Sequence, residues 1–487
     1  MKIKLEGLKF QREFFPFLLP VFYIMHYYFV NYPFFPSKIA LSLLTQYLLA
    51  VIVLNLLLLF FLKSWRKSSL FTFSLLCLQF FFIFLHEFLS KTLNGTIFSN
   101  DFFIIGLVVL AWVWLFLRLK KAPGGLSRLV KFLNVLMVSW ILVELFIFIV
   151  FENYLNSELK KTATIKDCSS CKKPDVYLLI LDEYAGQRTL IDKFQFDNSE
   201  FLSYLRSKDF HIVSDSRSNY NLTLFSMASM LSLDKIRISN YKKPSTKDFI
   251  LAGLKLNQSP VGQFFQRNGY VIYNLSLFSF LNLPSRFKHS YARNFLEELR
   301  SRTFTGQIQK DYKELFLSTS DDKTLGDNLD LNYNKALTDF FLHQTFPSNK
   351  PKFVYAHFLM PHFPHILNEK GEFNDPKIQY SQDTYLGYLK YCNHKIMPVV
   401  DKILSSSAAP PIILLMSDHG FRGFSKPVDP AYYFLNLNAI YLPSQSYNAW
   451  YTGMSNVNQF RILLNQEFNQ NFPLLKDTSV RLMGSRF

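Results

Sequence analysis

Cysteine is scarce in this chain: there are four among 487 residues. Cys168 and Cys171 form a CxxC in "DCSSCKK", but no second CxxC follows to complete a four-thiolate zinc site. The pair remains open to metal binding, redox chemistry or a small disulfide, and outside the cytosol a local disulfide is the favoured reading. Cys77 lies inside an apolar run, and Cys392 has no evident partner. Acidic residues are also few, with 36 Asp and Glu against 53 Lys and Arg and a net charge of +17. No cleavable leader is expected either, because the first apolar run has no small-residue cleavage site and is followed by "NYPFFP".

Apolar residues are abundant: 49% of the chain is hydrophobic, including 53 Phe and 26 Tyr, too much for one ordinary soluble fold. Runs at Phe14–Asn31, Ile39–Leu62, Leu70–Leu89, Phe102–Leu119 and Val130–Phe151 each approach the roughly 20 residues that span a bilayer. They lack the polar face that a buried core helix keeps, so about five transmembrane helices are predicted over residues 1–152. Lys2, Lys4, Lys9 and Arg12 precede the first run. Lys63, Arg66 and Lys67 follow the second, and Arg118, Lys120, Lys121, Arg128 and Lys131 separate the fourth from the fifth. The alternate connections are poor in such charge, which predicts a multi-pass protein of the plasma (inner) membrane with a cytoplasmic N-terminus. Many of the positive charges are thereby topology determinants rather than a nucleic-acid surface, so no nucleic-acid partner is expected. Those of "KKPSTK" and "RSRTFTGQIQK" fall on the outer domain, either as a solvated face or facing anionic headgroups.

Residues 153–174 turn polar and lose hydrophobic periodicity, which reads as a linker to an extracytoplasmic domain over 175–487. There "DVYLLILDEY", "GYVIYNLSLF", "KFVYAHFLM" and "PIILLMSDHG" are near-continuous apolar strands alternating with polar helical stretches. This pattern predicts an α/β domain with a mostly parallel central sheet covered by helices on both faces. Ligands of such sheets gather at the carboxyl ends of the strands. Asp182 and Glu183 end the first of these strands, and Asp418 and His419 end the last. Carboxylates with an imidazole suit a divalent cation such as zinc or manganese if the two ends meet, although each acid alone also reads as a helix cap or turn residue. In "SNYNLTLFSMAS", Thr223 opens a helical stretch, where backbone N–H groups attract phosphate; Asn221 or Thr223 equally serves as a cap. "YAHFLMPHFPHI" adds His357, His362 and His365 just beyond a strand, able to hold an anionic oxygen or move a proton. Arg422, two residues past Gly420, is either a bidentate phosphoryl ligand or a surface ion pair. "FLNLNAIYLP" reads as one further strand without chemistry.

The ordered set "LDEY", the Thr of "NLTLFSMAS", "PHFPH" and "SDHG" resembles the alkaline phosphatase superfamily. Within it, the chain is similar to sulfatase-like membrane enzymes such as lipoteichoic acid synthase and the lipid A phosphoethanolamine transferases. The resemblance spans nearly the whole length and implies membrane helices followed by an extracytoplasmic catalytic domain. It implies one divalent metal, zinc or manganese, on Asp182 or Glu183 or both, with Thr223, Asp418 and His419. Thr223 would be the nucleophile, His362 a substrate-contacting histidine and His365 a secondary candidate, while His357, Arg422 and Asn221 would bind substrate. The implied reaction carries a phosphoethanolamine- or phosphoglycerol-like group from a membrane lipid to a phosphate-bearing lipid or envelope glycan through a phospho-threonine. The C-x-P-S-R-like motif that true sulfatases mature to formylglycine is absent. A hydrolase (phosphodiesterase, phosphatase or sulfatase) on the same scaffold is the alternative, and a non-catalytic membrane protein is the third reading.

Overall fold

The computed structural model describes residues 13–32, 35–92, 101–122, 126–161, 163–289, 295–309, 323–344, 346 and 350–483. Two units emerge: Met1–Tyr154 with Arg293–Thr319, and Leu155–Ala292 with Ser320–Phe487.

The first unit is built on helices α1 (Phe15–Val30), α2 (Ser37–Leu62), α3 (Trp65–Thr92), α4 (Asp101–Lys121) and α5 (Ser127–Leu159). The five apolar runs and the five helices match in order. Four of them, α2 to α5, are long and apolar enough to cross a membrane. Helix α1 has 16 residues, about 24 Å at the helical rise, and falls short of a hydrocarbon core of about 30 Å. Aromatic pairs fill the interior, with Tyr23 stacked on Phe80 and Phe15 edge-on to Phe73. A ladder joins α1 to α5: Asn134 Oδ1 accepts the N–H groups of Phe14 and Phe15, and Phe22 meets Trp140. Further along, His26 pairs with Glu144, Phe29 stacks on Phe148 and Tyr32 donates to Glu152. Helix α5 runs on to Leu159, through the start of the stretch read as linker, because "ENYLNSEL" contains no helix breaker. Further along that stretch, Cys168 and Cys171 are disulfide-paired.

The second unit alternates strands and helices: β1 (Val176–Leu181), α6 (Gln187–Phe194), α7 (Ser199–Ser207), β2 (His211–Ile212), α8 (Thr223–Ser232), α9 (Thr246–Asn257), α10 (Pro260–Arg267) and β3 (Val271–Leu275). After α11 (Phe295–Ser301), which packs with the first unit, come α12 (Lys323–His343), β4 (Lys352–Phe358), α13 (Gln382–Ser406), β5 (Ile412–Ser417), β6 (Asn438–Tyr441) and α14 (Gln459–Glu467). The sheet order is β2-β6-β5-β1-β4-β3, in which β3, β4, β1 and β5 run parallel and β6 and β2 form an antiparallel edge. The four apolar runs of the sequence are the four parallel strands.

Alternation along β1 explains why both faces are covered. Val176, Leu178 and Ile180 enter a core with α8, α10 and α14, whereas Tyr177, Leu179 and Leu181 enter another with α7, α12 and α13. Each such buried side chain contributes about 1.5–3 kcal/mol, so a one-residue slip of the strand is strongly disfavoured. Leu181 pairs with both Phe358 and Ser417, which brings the carboxyl ends of β1, β4 and β5 level at one edge.

Candidate metal centre and phosphate site

Three neighbouring strands and one helix supply the polar groups at that edge. Asp182 follows β1, His357 lies near the end of β4, Asp418 and His419 follow β5, and Thr223 is the first residue of α8. Ser226 Oγ donates to the Asp418 carbonyl at 2.6 Å, fastening the first turn of α8 to the end of β5. Asn456 Nδ2 donates to the carbonyls of Ser417 and Asp418, and Asn436 Nδ2 also reaches that of Ser417. Gly420 is required where the chain turns away: a Cβ there would lie 2.7 Å from the Leu435 carbonyl oxygen and 2.8 Å from that of Tyr432.

Asp182, Asp418 and His419 are 0% exposed and place one ligand atom each within 4.8 Å of the others. His419 Nε2 lies 3.1 Å from Asp418 Oδ2 and 3.9 Å from Asp182 Oδ1. The proton on this imidazole is located by its other nitrogen, since Nδ1 stands 2.9 Å from the Gly420 carbonyl and must donate to it. Nε2 therefore turns a lone pair toward carboxylate oxygens. Neither Asp182 oxygen has a hydrogen-bond partner, nor does Asp418 Oδ2. Acceptors converging with no proton between them repel one another, and a cation resolves this at once. The donor set, two carboxylates and a neutral imidazole, fits zinc or manganese. Burial, reinforced by Asp418, pushes the Asp182 carboxyl well above its ordinary range, and burial depresses His419. Thr223 Oγ1 lies 3.4 Å from His419 Nε2, bringing a hydroxyl to the same group.

Glu183 faces elsewhere. Its Oε1 accepts the Arg422 backbone N–H at 2.7 Å and its Oε2 an Arg422 guanidinium N–H at 3.3 Å, and it stands apart from the three-residue metal group. Its backbone is left-handed, at φ +63°. Burial raises its carboxyl while Arg422 opposes the shift. Arg422 also donates to the Asn221 carbonyl at 3.4 Å and contacts His362 Nε2 at 2.7 Å. His362 Nδ1 is spent on the Phe363 carbonyl, so Nε2 is the acceptor toward Arg422. Burial, then Arg422, holds His362 well below its ordinary pKa.

The remaining sequence candidates are placed as follows. His357 is buried with its Nε2 3.5 Å from Asp182 Oδ2, and burial lowers it to about 4. His365 is tied to Thr384 Oγ1 and to the Ser381 carbonyl through Nδ1 and packs on Tyr385. The Asn221 amide grips the backbone of Leu482 with both ends, so its carbonyl, not its side chain, turns to Arg422. Sequence reasoning missed Ser226, Asn436, Asn456 and Tyr385, whose hydroxyl bridges the Glu183 carbonyl and the Ala185 N–H. Only "FLNLNAIYLP", with Asn436 in an otherwise apolar strand-like stretch, carried a signal for any of them.

A family model described as Sulfatase matches residues 174–463. Similar solved structures include the zinc complex of the C-terminal periplasmic domain of EcEptC from Escherichia coli, at 12% identity over 63% of this chain and 85% of that one, TM-score 0.39. The soluble domain of lipooligosaccharide phosphoethanolamine transferase A from Neisseria meningitidis is 13% identical over 62% and 89%, TM-score 0.36. A putative sulfatase from Bacteroides thetaiotaomicron is 12% identical over 64% and 74%, TM-score 0.38. No curated protein matches the sequence.

Proposed function

Because the chain belongs to the sulfatase family and is an enzyme of that type, we propose that it is a membrane-anchored, metal-dependent transferase. It moves a phosphoethanolamine- or phosphoglycerol-like group from a lipid donor to a lipid or envelope glycan, through a phosphoester on Thr223. The observation that carries the reading is the Thr223 hydroxyl 3.4 Å from the bare nitrogen of His419, beside buried acceptors arranged for a cation. The absence of a C-x-P-S-R-like motif and the presence of threonine at the head of α8 favour a phosphoester over formylglycine chemistry.

Asp182, Asp418, His419 and Thr223 would hold the ion. When bound, a divalent cation lowers the pKa of the threonine hydroxyl and neutralises charge on a phosphoryl oxygen. The chain's own residues supply the rest. Thr223 Oγ forms the new bond to phosphorus while the bond to the lipid oxygen breaks, and the threonine proton passes in net terms to the departing alcohol. Arg422, aimed by Glu183 and His362, pairs the non-bridging oxygens. His362, whose Nε2 accepts from Arg422, keeps that guanidinium oriented, and as the incoming acceptor oxygen displaces Thr223 the acceptor's proton passes in net terms to the departing Thr223 oxygen. Helices α2 to α5 keep the site with membrane lipids, and the charge pattern of the loops favours an extracytoplasmic α/β unit.

The test is intact-mass analysis of the full-length protein, wild type and Thr223→Ala, incubated with single phospholipids and zinc or manganese. A head-group adduct on wild type alone, removed by chelator, is the expected result, and release of the group only on adding an acceptor alcohol identifies a transferase. Release by water alone identifies the hydrolase, and an adduct that survives Thr223→Ala excludes this nucleophile.

A further inference from the structure

The segment between β3 and β4 that packs with the helical unit is polar, yet it lies at the depth of the membrane helices. Gln79, halfway along α3, holds Thr305 with both ends of its amide: Nε2 donates to Oγ1 at 2.9 Å, and Oε1 accepts the backbone N–H at 3.3 Å. Phe304 packs edge-on to Phe82 and near Trp112, the midpoint of α4. Leu299 is buried in the same apolar cluster as Phe15, Tyr23 and Phe80. The fold-back is tight: Thr303 Oγ1 joins the Arg300 carbonyl to the Gly306 N–H, and a Cβ on Gly306 would lie 1.8 Å from that carbonyl oxygen.

Two exposed guanidiniums, Arg300 and Arg302, accompany the buried Leu299 and Thr303 of this segment. Arg302 is neutralised by Glu298 at 3.0 Å. Among the described residues, Arg300 has no ion-pair partner. An arginine within the hydrocarbon region costs several kcal/mol unless it meets a counter-charge or a polar crevice.

We propose that residues 297–309 and the middle of α3 form a phospholipid site in which Arg300, backed by Arg302, binds the phosphodiester of a glycerophospholipid. The acyl chains would lie along exposed apolar side chains such as Phe84, Phe88 and Trp114. Charge complementarity selects the occupant: a phosphodiester supplies the missing anion at Arg300, and its two acyl chains match the apolar surroundings. The site stands whichever reaction the α/β unit runs.

The test uses the full-length protein in lipid nanodiscs with two photoactivatable lipids of identical acyl chains, a phosphatidylglycerol and a diacylglycerol. Labelling of the 297–309 peptide by the phospholipid is expected to exceed that by diacylglycerol about 10-fold, the worth of one charge-assisted contact. It should fall by the same factor in Arg300→Gln and persist in Arg300→Lys. Equal labelling by both lipids, or full labelling of Arg300→Gln, would overturn the proposal. Arg300→Lys keeps the charge, so a loss in both variants marks a structural role for Arg300 and counts against the site equally.

Discussion

Histidine ionisation dominates the acid response of the α/β unit. Burial lowers His289, His357 and His365 to about 4, against an ordinary value near 6.5 in the unfolded chain. A depressed base is neutral when folded, so its stabilisation is fully present above pH 6.5 and is lost as pH falls toward 4. Each ring contributes roughly 1–3 kcal/mol over that window. Asp182 acts in the opposite sense: its raised carboxyl favours the protonated form, so metal-free protein loses stability as pH rises through the carboxylate range. A bound cation cancels that loss. Thermal melts of the zinc-loaded protein should therefore decline steadily from pH 7 to pH 4.5, and the gap between loaded and chelated samples should widen toward high pH. A flat acid limb would mean that water reaches these rings. At this scale the sequence was informative wherever chemistry follows directly from position: Asp418, His419 and Thr223 sit at a strand end and a helix start, and they converge. It was uninformative on Glu183 and Asn221, because which partner a side chain reaches depends on a backbone turned to φ +63° and on a chain end some 260 residues away.

Elements are held in register at the site by close backbone approach more than by side chains. Gly420 donates its N–H to the Tyr433 carbonyl, and its own carbonyl accepts His419 Nδ1. A methyl group at this position meets three backbone atoms within 2.9 Å, so Gly420→Ala must displace the segment leading into β6 and with it the imidazole. The expected cost is about 1–3 kcal/mol with a marked loss of zinc affinity. Gly106, in α4, is the comparison: an added methyl there meets nothing within 4 Å, so Gly106→Ala should be neutral or slightly stabilising. Melting temperatures and zinc titrations of both variants decide the matter, and similar behaviour would remove the steric argument. The four parallel strands were legible because strands buried on both faces read as unbroken apolar runs. The antiparallel edge was less so: β2 has only two residues, and β6 has four and opens on Asn438, whose amide bonds Ser216 and Gln459.

At the scale of the whole molecule, the distribution of basic residues should govern which side of the membrane each unit occupies. Membrane spans were legible because bilayer thickness imposes a length, and only α1, ended before "NYPFFP", is shorter than the run of apolar residues suggested. The return of Arg293–Thr319 to the helical unit was not legible, since "EELRSRTFTGQ" has the composition of a solvated loop and its place is fixed by single contacts such as Gln79 with Thr305. If loops rich in Lys and Arg stay in the cytoplasm, Ser64, between α2 and α3, would lie inside and Ser405, at the end of α13, outside. Single-cysteine variants Ser64→Cys and Ser405→Cys, treated in intact cells with a membrane-impermeant maleimide, should label only at position 405, and position 64 only after permeabilisation. The native thiols should add little background, because Cys168 and Cys171 are paired, Cys392 is buried and Cys77 is half-buried within a helix long and apolar enough to cross the membrane. The reverse pattern would place the α/β unit in the cytoplasm, away from envelope acceptors. A metal site and a nucleophile would then remain, but an envelope transferase would not, because the acceptor hydroxyl must reach Thr223 from the side on which the α/β unit lies.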